Sequence, residues 1–366
     1  MRNLIIGSIL LSLADPGPEL AAQDSFVGVS RIVAVGDVHG DFAQFTTVLR
    51  QAGVIDAKNR WAGGQTHLVQ TGDVPDRGPD SRKVMDLLMD LTPQAAKAGG
   101  RVHALIGNHE AMMILGDLRY VSPGEYEAFR TTGSEDLRDR AFAGMADPAR
   151  KNDAEYQRQW RAERPLGWVE HRRAFETRGR YGSWIRRNNA VLKIDGFLFL
   201  HGGIGPNYAA STVASINDSV RRALGPGADP AVAEDPEGPL WYRGLATSEE
   251  APLAGHIDQV LANFGVRHVV IGHSVTAGTV MTRHDGKVIM IDVGLSAVYG
   301  GPPACLVIEN GVPYTMHRGQ KLELPLGGAD PLPYLKAAAA LDPQPSRLQK
   351  LIDQLVAEPA GAAPPF

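Results

Sequence analysis

Five short polar blocks follow one another along the chain: GDVHGD from Gly36, GDVPDRG from Gly72, GNHE from Gly107, HGG from His201 and GHS from Gly272. Each sets a carboxylate, an imidazole or a carboxamide beside a glycine. Asp37, His39, Asp73, Asn108, His201 and His273 thereby offer oxygen and nitrogen donors and no thiolate. That donor set suits hard-to-borderline divalent cations. Asp37 and His39 flank Val38, so both can project from one loop toward a first cation, and Gly36 and Gly40 let the backbone turn tightly there. Asp73 has two carboxylate oxygens and can bridge to a second cation. Asn108 adds a neutral oxygen where negative charge is already dense, and His201 and His273 complete the second set. Two cations about 3.5–4 Å apart can hold a hydroxide between them for in-line attack on a phosphoryl centre. The pattern therefore predicts metal-dependent hydrolysis of phosphate esters, with no phospho-enzyme intermediate and no activated Cys or Ser.

The neighbouring polar residues fit the rest of such a reaction. Arg77 can clamp phosphoryl oxygens with its planar fork. His109 adjoins Asn108 and could protonate the leaving oxygen, with Asp76 holding its tautomer. Arg243, in PLWYRG, is a candidate second phosphate clamp, although Trp-Tyr-Arg could equally be an anchor at the edge of the core. Glu110 reads as a hydrogen-bond partner behind the ligands. His67, His103, His171, His256, His268, His284 and His317 read as surface or satisfied core groups. One block alone is a weak signal; their order and their placement carry the argument.

Short apolar runs must position these blocks. RIVAV (31–35), THLVQ (66–70) and RVHALI (101–106) read as strands, each ending at a block, with helical spacing over 42–52 and 81–91 between them. Open α/β sheets bind ligands past the carboxyl ends of their strands. Residues 117–188 lack strand signals and are rich in Arg, Glu and Asp, which predicts an α-helical insertion whose charges mostly form a solvated face. AVLKI (190–194) and FLFL (197–200) lead into HGG, and VRHVVIG (266–272) leads into GHS. Helices are expected at 211–224 and 254–264. TVMTRH, KVIMID, ACLVIEN and GVPYTMH follow as short strands separated by turns. The reading gives a catalytic domain over 31–320, then a tail over 327–366 with one helix (346–356) and loose Ala/Pro-rich sequence.

The 366 residues are 43% hydrophobic and 21% charged, ordinary for a chain with a real core. A net charge of -4 gives no general attraction to nucleic acid. Cys305 is the single cysteine and sits in an apolar run, so an internal disulfide and zinc–thiolate sites are excluded. Met1 to Ala22 has a positive start, an apolar stretch too short to span a bilayer and small residues before Gln23. That is the pattern of a signal peptide cleaved near Ala22, which predicts export to a bacterial periplasm and no membrane contact in the mature form. Without such processing the protein would be cytoplasmic.

At these blocks, over about residues 31–320, the chain resembles the calcineurin-like metallophosphoesterases and, within them, the phosphoprotein phosphatases. GNHEAMMILGDLRYV (107–121) and PLWYRG (239–244) are similar to the Shewanella-like protein phosphatases of bacteria and plants. The resemblance implies an α/β fold of two mixed β-sheets packed as a sandwich and flanked by helices. It assigns Asp37, His39 and Asp73 to a first metal and Asp73, Asn108, His201 and His273 to a second. It makes Arg77, Asn108 and Arg243 phosphate contacts, and His109 with Asp76 the proton donor and its orienter. Val275 stands where many phosphodiesterases of the wider superfamily carry the last His of GHxH, and Asp76 and GNHE depart from diadenosine tetraphosphate hydrolases. The resemblance implies two divalent ions, Mn²⁺ by preference with Fe or Zn²⁺ as options, and no obligate regulatory subunit. The expected function is a phosphomonoesterase acting on phosphotyrosine and/or phosphoserine/threonine in proteins. The alternatives are a small-molecule or dinucleoside polyphosphate hydrolase and, more remotely, a non-catalytic metal-binding or phosphate-sensing domain.

Overall fold

The computed structural model describes residues 23–357, so the N-terminal segment read as a signal peptide lies outside the described residues. The short β-branched runs form strands: β1 (Ser25–Phe26), β2 (Arg31–Val35), β3 (His67–Gln70), β4 (Arg101–Ala104), β5 (Val191–Ile194), β6 (Phe197–Leu200), β7 (His268–Ile271), β8 (Met281–Arg283), β9 (Val288–Met290), β10 (Ala304–Glu309), β11 (Val312–His317) and β12 (Gln320–Glu323). They build two six-stranded sheets, ordered β12-β11-β10-β2-β3-β4 and β1-β5-β6-β7-β9-β8. β2, β3 and β4 run parallel, with Val33 opposite Leu68 and Leu68 opposite Val102. β6, β7 and β9 also run parallel, with Phe199 opposite Val270. β10 and β11 add antiparallel neighbours to the first sheet, as β5 and β8 do to the second. Both sheets are therefore mixed, and one apolar core of residues such as Val33, Leu68, Phe199 and Val270 joins them. This is the sandwich that the resemblance implies.

Helices cover the sheets with one apolar face each. Phe42–Gln51 buries Phe45, Val48 and Leu49, and Asp41 caps it by accepting from the Gln44 N–H at 2.9 Å. Ser81–Lys97 runs a turn and a half past the expected end at 91 and buries Val84, Leu88 and Leu91. Between β4 and β5, after the short helix Asn108–Leu115, lie Pro123–Phe129, Ser134–Met145, Ala154–Glu163, Trp168–Phe175 and Arg180–Ile185. Their junction is a ring cluster of Phe129, His171, Phe175 and Tyr181. Within it His171 meets the fully buried Glu125, which also accepts from the Ser81 hydroxyl at 2.8 Å and so ties this segment to the first sheet's helix.

The carboxyl-terminal part departs from the expected single helix; the Ala/Pro-rich end expected to be loose, 358–366, lies outside the described residues. Two helices form, Leu332–Leu341 and Gln349–Ala357, and Leu335, Ala338, Leu348 and Leu351 join the main core. The buried Tyr334 hydroxyl donates to the Val280 carbonyl at 2.7 Å. The run LPYLKAAAAL is rich in alanine, the strongest helix former, and forms the helix that was not expected. Among the described residues no helix is long and apolar enough to cross a membrane. Cys305 is buried in β10, where burial pushes its thiol up to about 12.

Candidate metal centre

Each polar block begins within a few residues of the carboxyl end of a parallel strand, three from β2, β3 and β4 of one sheet and two from β6 and β7 of the other. Because the sheets face each other, the five loops converge on one edge of the sandwich. The approach is too close for ordinary side chains at the glycines. A Cβ on Gly272 would lie 2.5 Å from Asp37 Oδ1, and one on Gly36 would lie 2.4 Å from the Ile291 carbonyl oxygen.

The structure brings all six expected donors together. His201 Nε2 lies 2.9 Å from Asn108 Oδ1, 3.0 Å from His273 Nδ1 and 3.2 Å from Asp73 Oδ2. His39 Nε2 lies 3.8 Å from Asp73 Oδ2 and 4.0 Å from Asp37 Oδ2. Asp73 is common to two groups of candidate ligands, His39–Asp73–His109 and Asp73–His201–His273. His109 is drawn into the first because its Nε2 stands 3.7 Å from Asp73 Oδ2. Asp37 Oδ1 also accepts from the His273 backbone N–H at 3.0 Å, which links the outermost loops.

The donor chemistry fits cations. His39 Nδ1 faces the Pro75 carbonyl at 3.1 Å and His201 Nδ1 faces the Thr71 carbonyl at 3.1 Å. Each carbonyl can only accept, so each imidazole donates from Nδ1, and a neutral ring then turns its Nε2 lone pair inward. Around His201 Nε2 the neighbours are a carbonyl oxygen, a carboxylate and an imidazole nitrogen. Lone pairs packed this closely repel one another unless a positive charge stands between them.

Electrostatics agree. Burial pushes Asp37 up, and the nearby Asp292 and Asp73 carboxylates add to it. Burial also works against Asp73, but His201, His109 and His39 hold it well below the usual carboxylate range. Burial pushes His39 down to about 3 and His273 down to about 2, so both imidazoles are neutral at neutral pH. Five site residues take the left-handed backbone region that non-glycine residues seldom occupy: His39 (φ 45°), Asp73 (φ 59°), Asp76 (φ 73°), Arg77 (φ 66°) and His273 (φ 63°). Such strain collects where a side chain must be aimed rather than merely accommodated.

The remaining expected residues surround this centre. His109 Nδ1 hydrogen-bonds Asp76 Oδ2, and its backbone N–H donates to Asp73 Oδ1 at 2.9 Å. Burial lowers His109, but Asp73 and Asp76 outweigh it and the group ends above its ordinary value. Burial lifts Asp76 to about 6 despite its imidazole partner. Glu110 accepts backbone N–H groups of Asp73, Val74 and Gly107, each at 2.8 Å, and so locks two of the loops together. Arg77 lies between the Tyr120 and Tyr299 rings, 4.7 and 5.4 Å from their centres. Arg243 Nη1 donates to the His273 carbonyl at 2.6 Å and contacts Ser274 Oγ at 3.1 Å. Both arginines line a cleft of about 90 Å³ with His109, Asn108 and Asp73.

Sequence reasoning missed four residues of that cleft: Asp292, Tyr120, Trp241 and Tyr299. Asp292 is buried, shares a hydrogen bond with Asp37 and accepts from the Gly294 N–H at 3.0 Å. It follows β9 in KVIMID, so the rule that polar residues after parallel strands face the site would have found it. Tyr120 and Trp241 lie within the runs GNHEAMMILGDLRYV and PLWYRG but were given no site role there, and Tyr299 carries no local signal.

The calcineurin-like phosphoesterase family model matches residues 30–277. An uncharacterized protein of Schizosaccharomyces pombe is 32% identical over 308 residues, covering 80% of this chain and 82% of its own length. Shewanella-like protein phosphatase 2 of Arabidopsis thaliana is 29% identical over 301 residues, covering 75% of this chain and 73% of its own. The crystal structure of a cold-active protein-tyrosine phosphatase from a psychrophilic Shewanella species superposes with a TM-score of 0.64 at 27% identity, over 82% of each chain. The order of the blocks, the convergence of their donors on Asp73 and the extent of the family match have one reading: the chain is a member of the calcineurin-like phosphoesterase family.

Proposed function

We propose that this chain is a dinuclear-metal-dependent phosphomonoesterase acting on phosphorylated proteins, with phosphotyrosine favoured. The observation that carries the proposal is the convergence of six donors around Asp73 with the His109–Asp76 pair directly beside them. Asp37, His39 and Asp73 would hold one divalent cation, and Asp73, Asn108, His201 and His273 another, manganese being the preferred metal. When bound, such a pair supplies Lewis-acid stabilisation and activation of water at neutral pH.

The chain's own groups do the rest. Arg77 is steered by the faces of Tyr120 and Tyr299 and presents its fork to phosphoryl oxygens. Arg243, fixed by the His273 carbonyl, offers a second cation from the opposite loop. Asp76 accepts a hydrogen bond from Nδ1–H of His109, so the Nε2 proton faces the cleft and can pass to the leaving oxygen. The rings of Tyr120, Trp241 and Tyr299 at the cleft suit an aryl leaving group, which supports the phosphotyrosine preference. Export is part of the same reading and rests on the Met1–Ala22 pattern; amino-terminal sequencing of the mature protein should begin near Gln23.

The test compares a phosphotyrosyl peptide, a phosphoseryl peptide and diadenosine tetraphosphate, each with and without added Mn²⁺. Manganese-dependent release of phosphate from the peptides, fastest from phosphotyrosine, is expected. Turnover confined to the dinucleotide would replace the proposal with the polyphosphate-hydrolase reading.

A further inference from the structure

We infer that a second cavity, between the loop after His273 and the C-terminal helix Gln349–Ala357, is a subsite for an acidic side chain of the substrate polypeptide. The inference rests on the proposed action on phosphoproteins. The cavity is about 320 Å³ and is lined by Val275, Met281 and Met290 on one side and by Arg347 and Lys350 on the other. Among the described residues no carboxylate lines it. Arg347 and Lys350 are exposed, and among the described residues neither has an ion-pair or hydrogen-bond partner. Two uncompensated cations over an apolar floor match the methylenes and anionic tip of a glutamate, or a second phosphorylated side chain.

Two contacts connect this cavity with the metal centre. Ser274 lines it, and Ser274 Oγ meets Nη1 of Arg243, the arginine that faces the cleft. On the other flank, the Cβ position of Gly294 lies 3.5 Å from Arg347 Nη1 and 3.1 Å from the Cβ of Tyr299. Arg347 and Tyr299, which lines the metal cleft, therefore both flank Gly294. A polypeptide whose phosphorylated residue occupies the cleft passes this point, and an acidic neighbour in the chain can reach the arginine without leaving the surface. The apparent mismatch between an acidic protein and an acidic substrate is removed locally, since the net charge of -4 is not expressed here.

The experiment uses phosphotyrosyl peptides in which glutamate, phosphoserine or alanine is placed at successive positions on either side of the phosphotyrosine. At one or more positions glutamate or phosphoserine should lower KM about threefold to tenfold relative to alanine, with kcat unchanged, as expected for two partly exposed ion pairs. The double variant Arg347→Gln/Lys350→Gln should erase that difference, and Arg347→Lys/Lys350→Arg should keep most of it. Turnover of p-nitrophenyl phosphate, which has no acidic neighbour, should be the same in all three proteins and reports an intact centre. A larger effect of phosphoserine than of glutamate would identify the second phosphoryl group as the occupant. Equal KM for all peptides in the unaltered protein, or discrimination that survives in the Gln variant, overturns the subsite. If p-nitrophenyl phosphate is hydrolysed and no peptide is, the phosphoprotein reading falls, and the subsite falls with it.

Discussion

At His109 burial and charge pull in opposite directions, and the outcome decides what the residue can do. Burial alone would keep the ring neutral. Asp73 and Asp76 reverse that, so the imidazole holds its proton above the usual range while remaining 3% exposed. A protonated ring with one N–H fixed on Asp76 has a single proton to give, and it points at the cleft. His109→Ala should therefore lower kcat on a phosphopeptide about 10²–10⁴-fold, the usual worth of a general acid. On p-nitrophenyl phosphate the loss should be much smaller, because that leaving group departs without a proton. Bound metal should be unchanged. An equal loss on both substrates would remove His109 from the proton-donor role.

At the scale of elements, the strained loops are held by their neighbours. Arg77 donates its backbone N–H to the Tyr120 carbonyl at 2.9 Å, and Ser122 Oγ donates to the Gly78 carbonyl at 3.1 Å. Ser122 also caps the helix Pro123–Phe129, accepting from the Glu125 N–H at 3.2 Å. The entry to the helical segment thus braces the Asp76–Arg77 loop in its left-handed conformation. Ser122→Ala should cost about 1 kcal/mol of stability, the usual value of an N-cap, with kcat/KM falling because Arg77 is less well aimed; denaturant unfolding and kinetics on one preparation check both. The GHS loop gives a sharper case. A Cβ at Gly272 would stand 2.5 Å from Asp37 Oδ1, which is pinned by the His273 N–H. Gly272→Ala should keep the fold, by circular dichroism, and lose bound metal. The donors were legible in the sequence because each follows a short apolar run within a few residues, so local pattern alone placed them. Asp292 follows such a run as well, in KVIMID, and was missed because no adjoining glycine sets it apart. The rim aromatics were not legible, since Tyr120 and Tyr299 meet over Arg77 only through the packing of the two sheets. The helix Leu332–Leu341 was missed because its alanine run gives little contrast between an apolar and a polar face; Tyr334 anchors it.

For the whole molecule, the centre joins two sheets, so whatever compensates its buried charge also holds the halves of the sandwich together. Asp37 and Asp292 belong to opposite sheets, Asp37 after β2 and Asp292 after β9, and they meet through a shared hydrogen bond. Burial raises both, Asp292 to about 6. A carboxylate raised in this way retains a proton in the folded chain that the unfolded chain releases near pH 4. Its contribution to stability is present below that pH and is lost as pH rises through about 6. Cations act in the opposite sense, because they bind only the ionised pair and so compete with these protons. His39 and His273 do not compete between pH 5 and 8, being neutral down to about 3 and about 2. The rise in Tm on adding Mn²⁺ to chelator-treated protein should accordingly be small at pH 5 and should grow through pH 6 to a plateau near pH 7.5. At a free metal concentration a hundredfold above Kd, the plateau stabilisation is about 2.7 kcal/mol per site. Asp292→Asn should flatten the pH dependence, because one of the competing protons is gone, while metal still binds through the remaining donors. A metal-induced shift of equal size at pH 5 and pH 7.5 in the unaltered protein would show that these carboxylates do not face the cations.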